Sequence, residues 1–437
     1  MFAKSFKWML LTLLVIAAAV YGCVAGYRMI FPPAPVSAPP AQTAAPTETP
    51  VPTPEPTETP EPTATPVPTR TPHVVTEEEL AVKAYVETLP LNIRLGQLVM
   101  FGFTGYSEPS NEFQRTMNRW RIGNACLYGI NVDRDASDGG FNQTRKLINR
   151  LRTNNATEIP MLVSIDIEGG HVQRFKWEET PPSASSLGKK NDTEKAQQSF
   201  FKVGKKLKEV GINMNLAPVL DVAKKPNSTF LGTRIISSDA TIAGNIGSAV
   251  IRGLSEAACL STAKHFPGHG ATGQQDSHNI TPTVTKTRAE LENYELIPFQ
   301  AGIDAGVDTV LIGHILFSGL DENDIASMSK PIITDLLRNE MGFDGIVMSD
   351  DFRMAGVTSR YDVGEAAVKF INAGGDLILC GPRNDLQQKI MNGLTAAAKN
   401  GTLSEERINE SVTRILLKKL KVCDWTLPQP EEPTANA

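Results

Sequence analysis

Met161-Leu162-Val163-Ser164-Ile165-Asp166-Ile167-Glu168-Gly169-Gly170 begins as a short apolar run and ends in two carboxylates and two glycines. Such a run reads as a buried strand whose C-terminal end opens into a polar loop. The same pattern recurs along the chain, at 98–103 and 123–132 before it, and at 212–221, 260–265, 308–316, 345–350 and 376–381 after it. Stretches with helical spacing lie between these runs, at 141–153, 192–210, 240–257, 287–305, 330–340, 363–373 and 384–399. Strands alternating with helices indicate parallel βαβ units. Eight of them predict an α/β fold of the closed (β/α)8 TIM-barrel kind, spanning residues 74–427. An open doubly wound sheet is the alternative, but it typically has fewer strands and a nucleotide loop, and the sequence holds neither G-x-G-x-x-G nor a P-loop.

Two segments precede this domain. Residues 1–31 hold Lys4 and Lys7, then an apolar run from Trp8 to Tyr27, long enough to span a bilayer at about 1.5 Å per residue. The reading taken is an uncleaved signal-anchor in the cell membrane, with the lysines inside and the rest of the chain extracellular. A lipoprotein acylated at Cys23 and a cleaved signal peptide are its rivals. Residues 32–73 are rich in Pro and Thr, as in Thr49-Pro50-Val51-Pro52-Thr53-Pro54. Proline this dense favours an extended, disordered linker of about 120 Å reach, at roughly 3.1 Å per residue. Residues 428–437 read as a disordered tail.

A net charge of −5 argues against a nucleic-acid surface. The five cysteines (Cys23, Cys126, Cys259, Cys380 and Cys423) form no C-x-x-C pair, so no zinc or redox motif is supported and no disulfide is expected. Cys126, Cys259 and Cys380 lie in apolar runs and read as buried thiols. No metal or cofactor is expected.

Ionisable residues gather at the strand ends: Asp166 and Glu168, Asp221, Lys264-His265, His314, and Asp350-Asp351. In a (β/α)8 architecture that face carries the active site. The most specific signal is Lys264-His265-Phe266-Pro267-Gly268-His269-Gly270 followed by Asp276-Ser277-His278. This run resembles the family 3 glycoside hydrolases of the β-N-acetylhexosaminidase type. Met348-Ser349-Asp350-Asp351-Phe352 is similar to the family's nucleophile segment, and Asp166-Ile167-Glu168-Gly169-Gly170 with Arg174 to its sugar-binding segment.

The chemistry follows from the residues. A retaining glycosidase needs a carboxylate nucleophile and a proton donor beside the leaving oxygen. Asp350, leaving the seventh strand, suits the first role. Asp351 faces the other way by strand alternation and reads as support or a cap. Asp276 and His278, two apart in an extended loop, project to one side, and a carboxylate beside an imidazole fixes its tautomer and favours its acid form. The resemblance implies that this pair is the acid/base, and that Asp166, Arg174, Arg234, Lys264 and His265 bind the sugar. Glycines at 268, 270 and 273 are expected to let the loop move. Ile235, Ile236 and Ile167 depart from the family pattern. His269 is expected to shape the loop, and His314 either lines the site or satisfies a core hydrogen bond. His73 and His171 look incidental.

The expected activity is exo-acting hydrolysis of terminal β-linked N-acetylglucosamine from peptidoglycan fragments such as muropeptides. The alternatives are a phosphorylase using phosphate as acceptor, another retaining β-glycosidase, a metal-dependent hydrolase using His265, His269, His278 and His314, and a non-catalytic wall-binding module. The partners expected are a small carbohydrate and the membrane, with no nucleic acid.

Overall fold

The computed structural model describes residues 75–428. The anchor reading for 1–31, the linker reading for 32–73 and nearly all of the tail 428–437 lie outside the described residues. Among the described residues no helix is long and apolar enough to cross a membrane.

Each of the eight apolar runs yields a strand: β1 Val99–Gly102, β2 Asn124–Leu127, β3 Leu162–Ile165, β4 Met214–Asn215, β5 Thr262–Phe266, β6 Thr309–Ile312, β7 Ile346–Ser349 and β8 Ile378–Cys380. All pairings among them are parallel, as βαβ alternation requires. One sheet runs β8-β1-β2-β3-β4 and a second runs β5-β6-β7. Single parallel bridges, Met214–Leu260 and Met348–Leu377, connect the two sheets at their neighbouring edges. The strands are buried along their whole length, so apolar residues point to both faces.

Three expectations are corrected. The strand expected at 212–221 is only two residues long, because Pro218 has no N–H for the ladder; beyond it the chain regains only an isolated bridge at Val219–Lys264. The helix expected at 287–305 is two helices, Arg288–Glu292 and Leu296–Asp304. Pro298 cannot donate to the carbonyl four residues back, so the first helix stops short of it. The run at 308–316 also ends early at Ile312, and Leu316–Phe317 pairs instead with Thr283–Val284.

The other helices form where their caps and apolar faces allow. Asp192 and Asp239 cap Thr193–Glu209 and Ala240–Glu256 by accepting from backbone N–H groups of the first turn. These two helices bury Phe200, Val203 and Leu207 against Val250 and Leu254 in the common core.

The last helix, Glu405–Val422, is fixed by ion pairs to residues just ahead of two strands. Asp376, before β8, is fully buried and accepts from Arg338 (2.5 Å), Arg407 (3.1 Å), Arg414 (3.1 Å) and the Ser411 hydroxyl (2.7 Å). Asp308, before β6, takes Lys418 (3.0 Å) and Lys421 (2.7 Å). Burial works to raise both carboxyls, and the cations outweigh it and hold both below the ordinary range. Both clusters lie at the strand N-termini, opposite the polar strand ends.

Candidate active site

Most of the residues singled out at the strand ends line one cavity of about 430 Å³; Asp221 and His314 lie off its wall. Asp166, Arg174, Arg234, Lys264, His265, His278 and Asp350 all reach its wall, and Asp276 stands behind His278. The ladder between β5 and β6 skips a residue between Lys264 and Phe266, so Lys264 and His265 both face the cavity despite being adjacent.

The sugar-binding candidates form a connected charge network. Asp166 takes Lys264 Nζ on Oδ1 (2.9 Å) and Arg174 Nη2 on Oδ2 (2.9 Å). Glu168 is gripped in a fork by Arg234, at 2.8 Å through Nε and 2.9 Å through Nη2, and takes Lys264 at 2.7 Å. Burial favours the neutral forms of Asp166 and Glu168, but Lys264 with Arg174 and Arg234 outweighs it, so both stay ionised. Lys264 is likewise disfavoured by burial and held charged by Asp166 and Glu168. Glu168 was not among the site residues expected from the sequence. Its spacing, two residues past Asp166, was the available signal, since alternate residues of an extended segment face the same way.

Asp350 follows β7, where its N–H donates to the Ile312 carbonyl at 3.0 Å. Its Oδ1 accepts from the Asp351 N–H at 2.8 Å, while Oδ2 has no hydrogen bond among the described residues. Burial works to raise this carboxyl; His265 and His314, the Asp351 N–H and His278 outweigh it and hold it low. Asp351 is engaged by Tyr128 Oη (2.9 Å), the Arg353 guanidinium (2.6 Å) and the Gly381 N–H (3.0 Å), which fits a supporting carboxylate. Cys126 also reaches the cavity, but burial, aided by Asp166, pushes its thiol up to about 12. It is a neutral wall residue.

The Asp276–His278 pair is formed by a turn, which corrects the extended loop expected from the sequence. The Asn279 N–H donates to the Asp276 carbonyl, and Asp276 Oδ1 accepts both the His278 N–H (2.9 Å) and its ring Nδ1 (2.7 Å). That leaves Nε2 as the imidazole's outward atom. Burial acts to raise Asp276, and the His278 N–H and ring bring it below the usual range. The ring itself is 66% exposed.

Other histidines resolve differently. His314 is buried, bonds Ser327 Oγ at 2.8 Å and does not line the cavity. His171 lies off the cavity wall, and its Nε2, 2.9 Å from Thr233 Oγ1, ties the loop after β3 to the one carrying Arg234. Gly270 is required by close approach: a Cβ there would lie 2.1 Å from the Val222 carbonyl oxygen. The departures Ile167, Ile235 and Ile236 are all buried and off the cavity wall, so they leave its polar contacts intact.

A parallel α/β fold whose strand ends set a carboxylate, an Asp–His pair and a charged sugar-scale cavity together has the makings of a glycoside hydrolase. The profile of the glycosyl hydrolase family 3 N-terminal domain matches residues 90–417, and the chain belongs to that family. It is 30% identical over 370 residues to beta-hexosaminidase A of Pseudoalteromonas piscicida, across 75% of this chain and 60% of that protein. It is also 30% identical to beta-hexosaminidase LpqI of Mycobacterium tuberculosis, across 75% of this chain and 82% of that one. Among solved structures, a family 3 beta-N-acetylglucosaminidase from Paenibacillus sp. FPU-7 superposes with a TM-score of 0.73 at 36% identity, over 79% of this chain and 65% of that one. The chain thus spans less than two thirds of the Pseudoalteromonas and Paenibacillus proteins.

Proposed function

We propose that residues 74–427 form a retaining, exo-acting β-N-acetylhexosaminidase built on a closed (β/α)8 barrel. The observation that carries this is the convergence of Asp350 and the Asp276-held His278 on one cavity whose wall is otherwise a polar cradle. In this reading Asp350 Oδ2 attacks the anomeric carbon as His278 Nε2 gives its proton to the departing glycosidic oxygen. Water then displaces the enzyme ester, with His278 taking its proton back. Asp276 orients the ring and steadies its cationic form. Asp166, Arg174, Arg234, Lys264 and His265, joined by Glu168, hold the sugar hydroxyls. The two hexosaminidase relatives support N-acetylhexosamine as the sugar. The bridges that join the two sheets at both edges support the closed barrel. An N-terminal anchor and linker would hold the enzyme at the cell surface, where peptidoglycan fragments are the accessible substrate.

A panel of p-nitrophenyl sugars followed by defined muropeptides tests the assignment. N-acetyl-β-glucosaminide should be turned over far faster than β-glucoside, in the absence of phosphate and in the presence of a chelator. Preference for the glucoside, or release that requires added phosphate, would replace this reading with one of its rivals.

A further inference from the structure

Ser277 sits between Asp276 and His278, yet it is buried while its neighbour His278 faces solvent. Its hydroxyl lies 2.7 Å from His269 Nε2. The direction of that bond can be assigned. The Thr272 hydroxyl proton is engaged by the carbonyls of His269 (2.9 Å) and Gln275 (2.8 Å), so Thr272 offers a lone pair to His269 Nδ1 at 3.0 Å. Nδ1 then bears the ring hydrogen, and Nε2 accepts from the Ser277 hydroxyl. Burial, with His265 alongside, pushes His269 down to about 4, which keeps the ring neutral as this arrangement requires.

His269 is itself immobilised. Its N–H donates to Asp221 Oδ1, and the other oxygen of that buried carboxylate holds His265 Nδ1 at 2.7 Å. Its ring packs edge-on against Phe230 and His265, with centroids 4.6 Å and 5.6 Å away. From the opposite side, the Gly356 N–H donates to the Ser277 carbonyl at 2.9 Å. Gly356 lies in the short helix Ala355–Thr358 that follows Asp350, pressed so close to His314 that a Cβ would meet the His314 Cβ at 2.6 Å. Ser277 is therefore fastened both to the loop after β5 and to the short helix that follows the nucleophile strand.

From this geometry we infer that the Ser277–His269 hydrogen bond is a latch that sets the Asp276–His278 turn at the cavity, making Ser277 and His269 positioning residues for proton delivery. The inference rests on His278 being the acid. Losing the latch lets the exposed imidazole drift, which harms departure of a poor leaving group and spares one that needs little protonation.

The test compares the chitobiose disaccharide with the 2,4-dinitrophenyl glycoside for Ser277→Ala, His269→Gln, the double variant and His278→Ala, with thermal midpoints measured alongside. Ser277→Ala should lose at least about tenfold more kcat/KM on the disaccharide than on the dinitrophenyl substrate, because kcat/KM reports departure of the leaving group and not the later hydrolysis of the enzyme ester that both substrates share. His269→Gln, which leaves the backbone N–H held by Asp221 untouched, should repeat that split, and the double variant should be no worse than the worse single one. Equal losses of kcat/KM on both substrates, or losses that multiply in the double variant, would overturn the latch. If His278→Ala shows the split and neither latch variant does, the latch alone fails. If His278→Ala shows no split, the assignment of the acid fails and the latch falls with it.

Discussion

Asp350→Asn is expected to cut turnover at least about a thousandfold while leaving sugar affinity largely intact. The amide has the size of the carboxylate, and its oxygen can still accept the Asp351 N–H that now holds Oδ1. What disappears is the anion at Oδ2, the oxygen left without a hydrogen bond. Because two inversions give net retention, the wild-type product should first appear as the β-anomer. A 2-fluoro sugar should leave a covalent adduct on the peptide containing Asp350, read by mass spectrometry. The mechanistic rival is attack by the substrate's own acetamido oxygen, which gives the same anomer. An unlabelled Asp350 together with strong inhibition by a thiazoline would decide for that rival.

The largest effect on stability should come from Asp376→Asn. This carboxylate is buried among Arg338, Arg407 and Arg414, and removing it leaves three guanidinium groups crowded without an anion. Deleting one side of a buried ion pair costs about 3–5 kcal/mol, enough to lower the thermal midpoint on the order of ten degrees. The pH dependence has a definite sign. Asp376 and Asp308 are held below the ordinary carboxyl range of about 3.9 in the folded protein. Their stabilisation is complete above roughly pH 4 and is lost as pH falls through the folded values. The variant should therefore be less stable at neutral pH and should lose less on acidification than the wild type. Midpoints that match the wild type at pH 7 would show that the cluster contributes nothing, and activity at low temperature should survive because the cluster lies at the strand ends away from the cavity.

The strand framework was legible because each strand is buried on both faces and so reads as an unbroken apolar run. Two of the three failures in the fold trace to prolines: Pro218 truncates β4, and Pro298 divides a stretch whose apolar spacing continues across the break. Periodicity records which side chains are buried and says little about where backbone donors are missing. The site was legible where a local motif carried it. Lys264, His265, Asp276, His278 and Asp350 lie in two compact segments, and the fold brings both to one cavity. Glu168 stands in the segment that resembles the family's sugar-binding stretch, but its own role is hidden because its partners, Arg234 and Lys264, are far away in sequence. Asp308, Asp376 and the His269–Ser277 contact were hidden for related reasons: a carboxylate before a strand, or a serine in a loop, looks ordinary until its partners are known.

The pairing of charges around the cavity has a consequence for recognition. Its wall sets Asp166, Glu168, Asp350 and Asp351 against Arg174, Arg234, Lys264 and Arg353, four of each sign. Apart from Asp350, these groups are already oriented by one another, so a neutral sugar of the kind proposed would meet fixed dipoles and release no counterions on entering. Discrimination of the proposed sugar would then depend on the direction of each hydroxyl, which is what distinguishes one hexose epimer from another, and ionic strength would have little leverage over it.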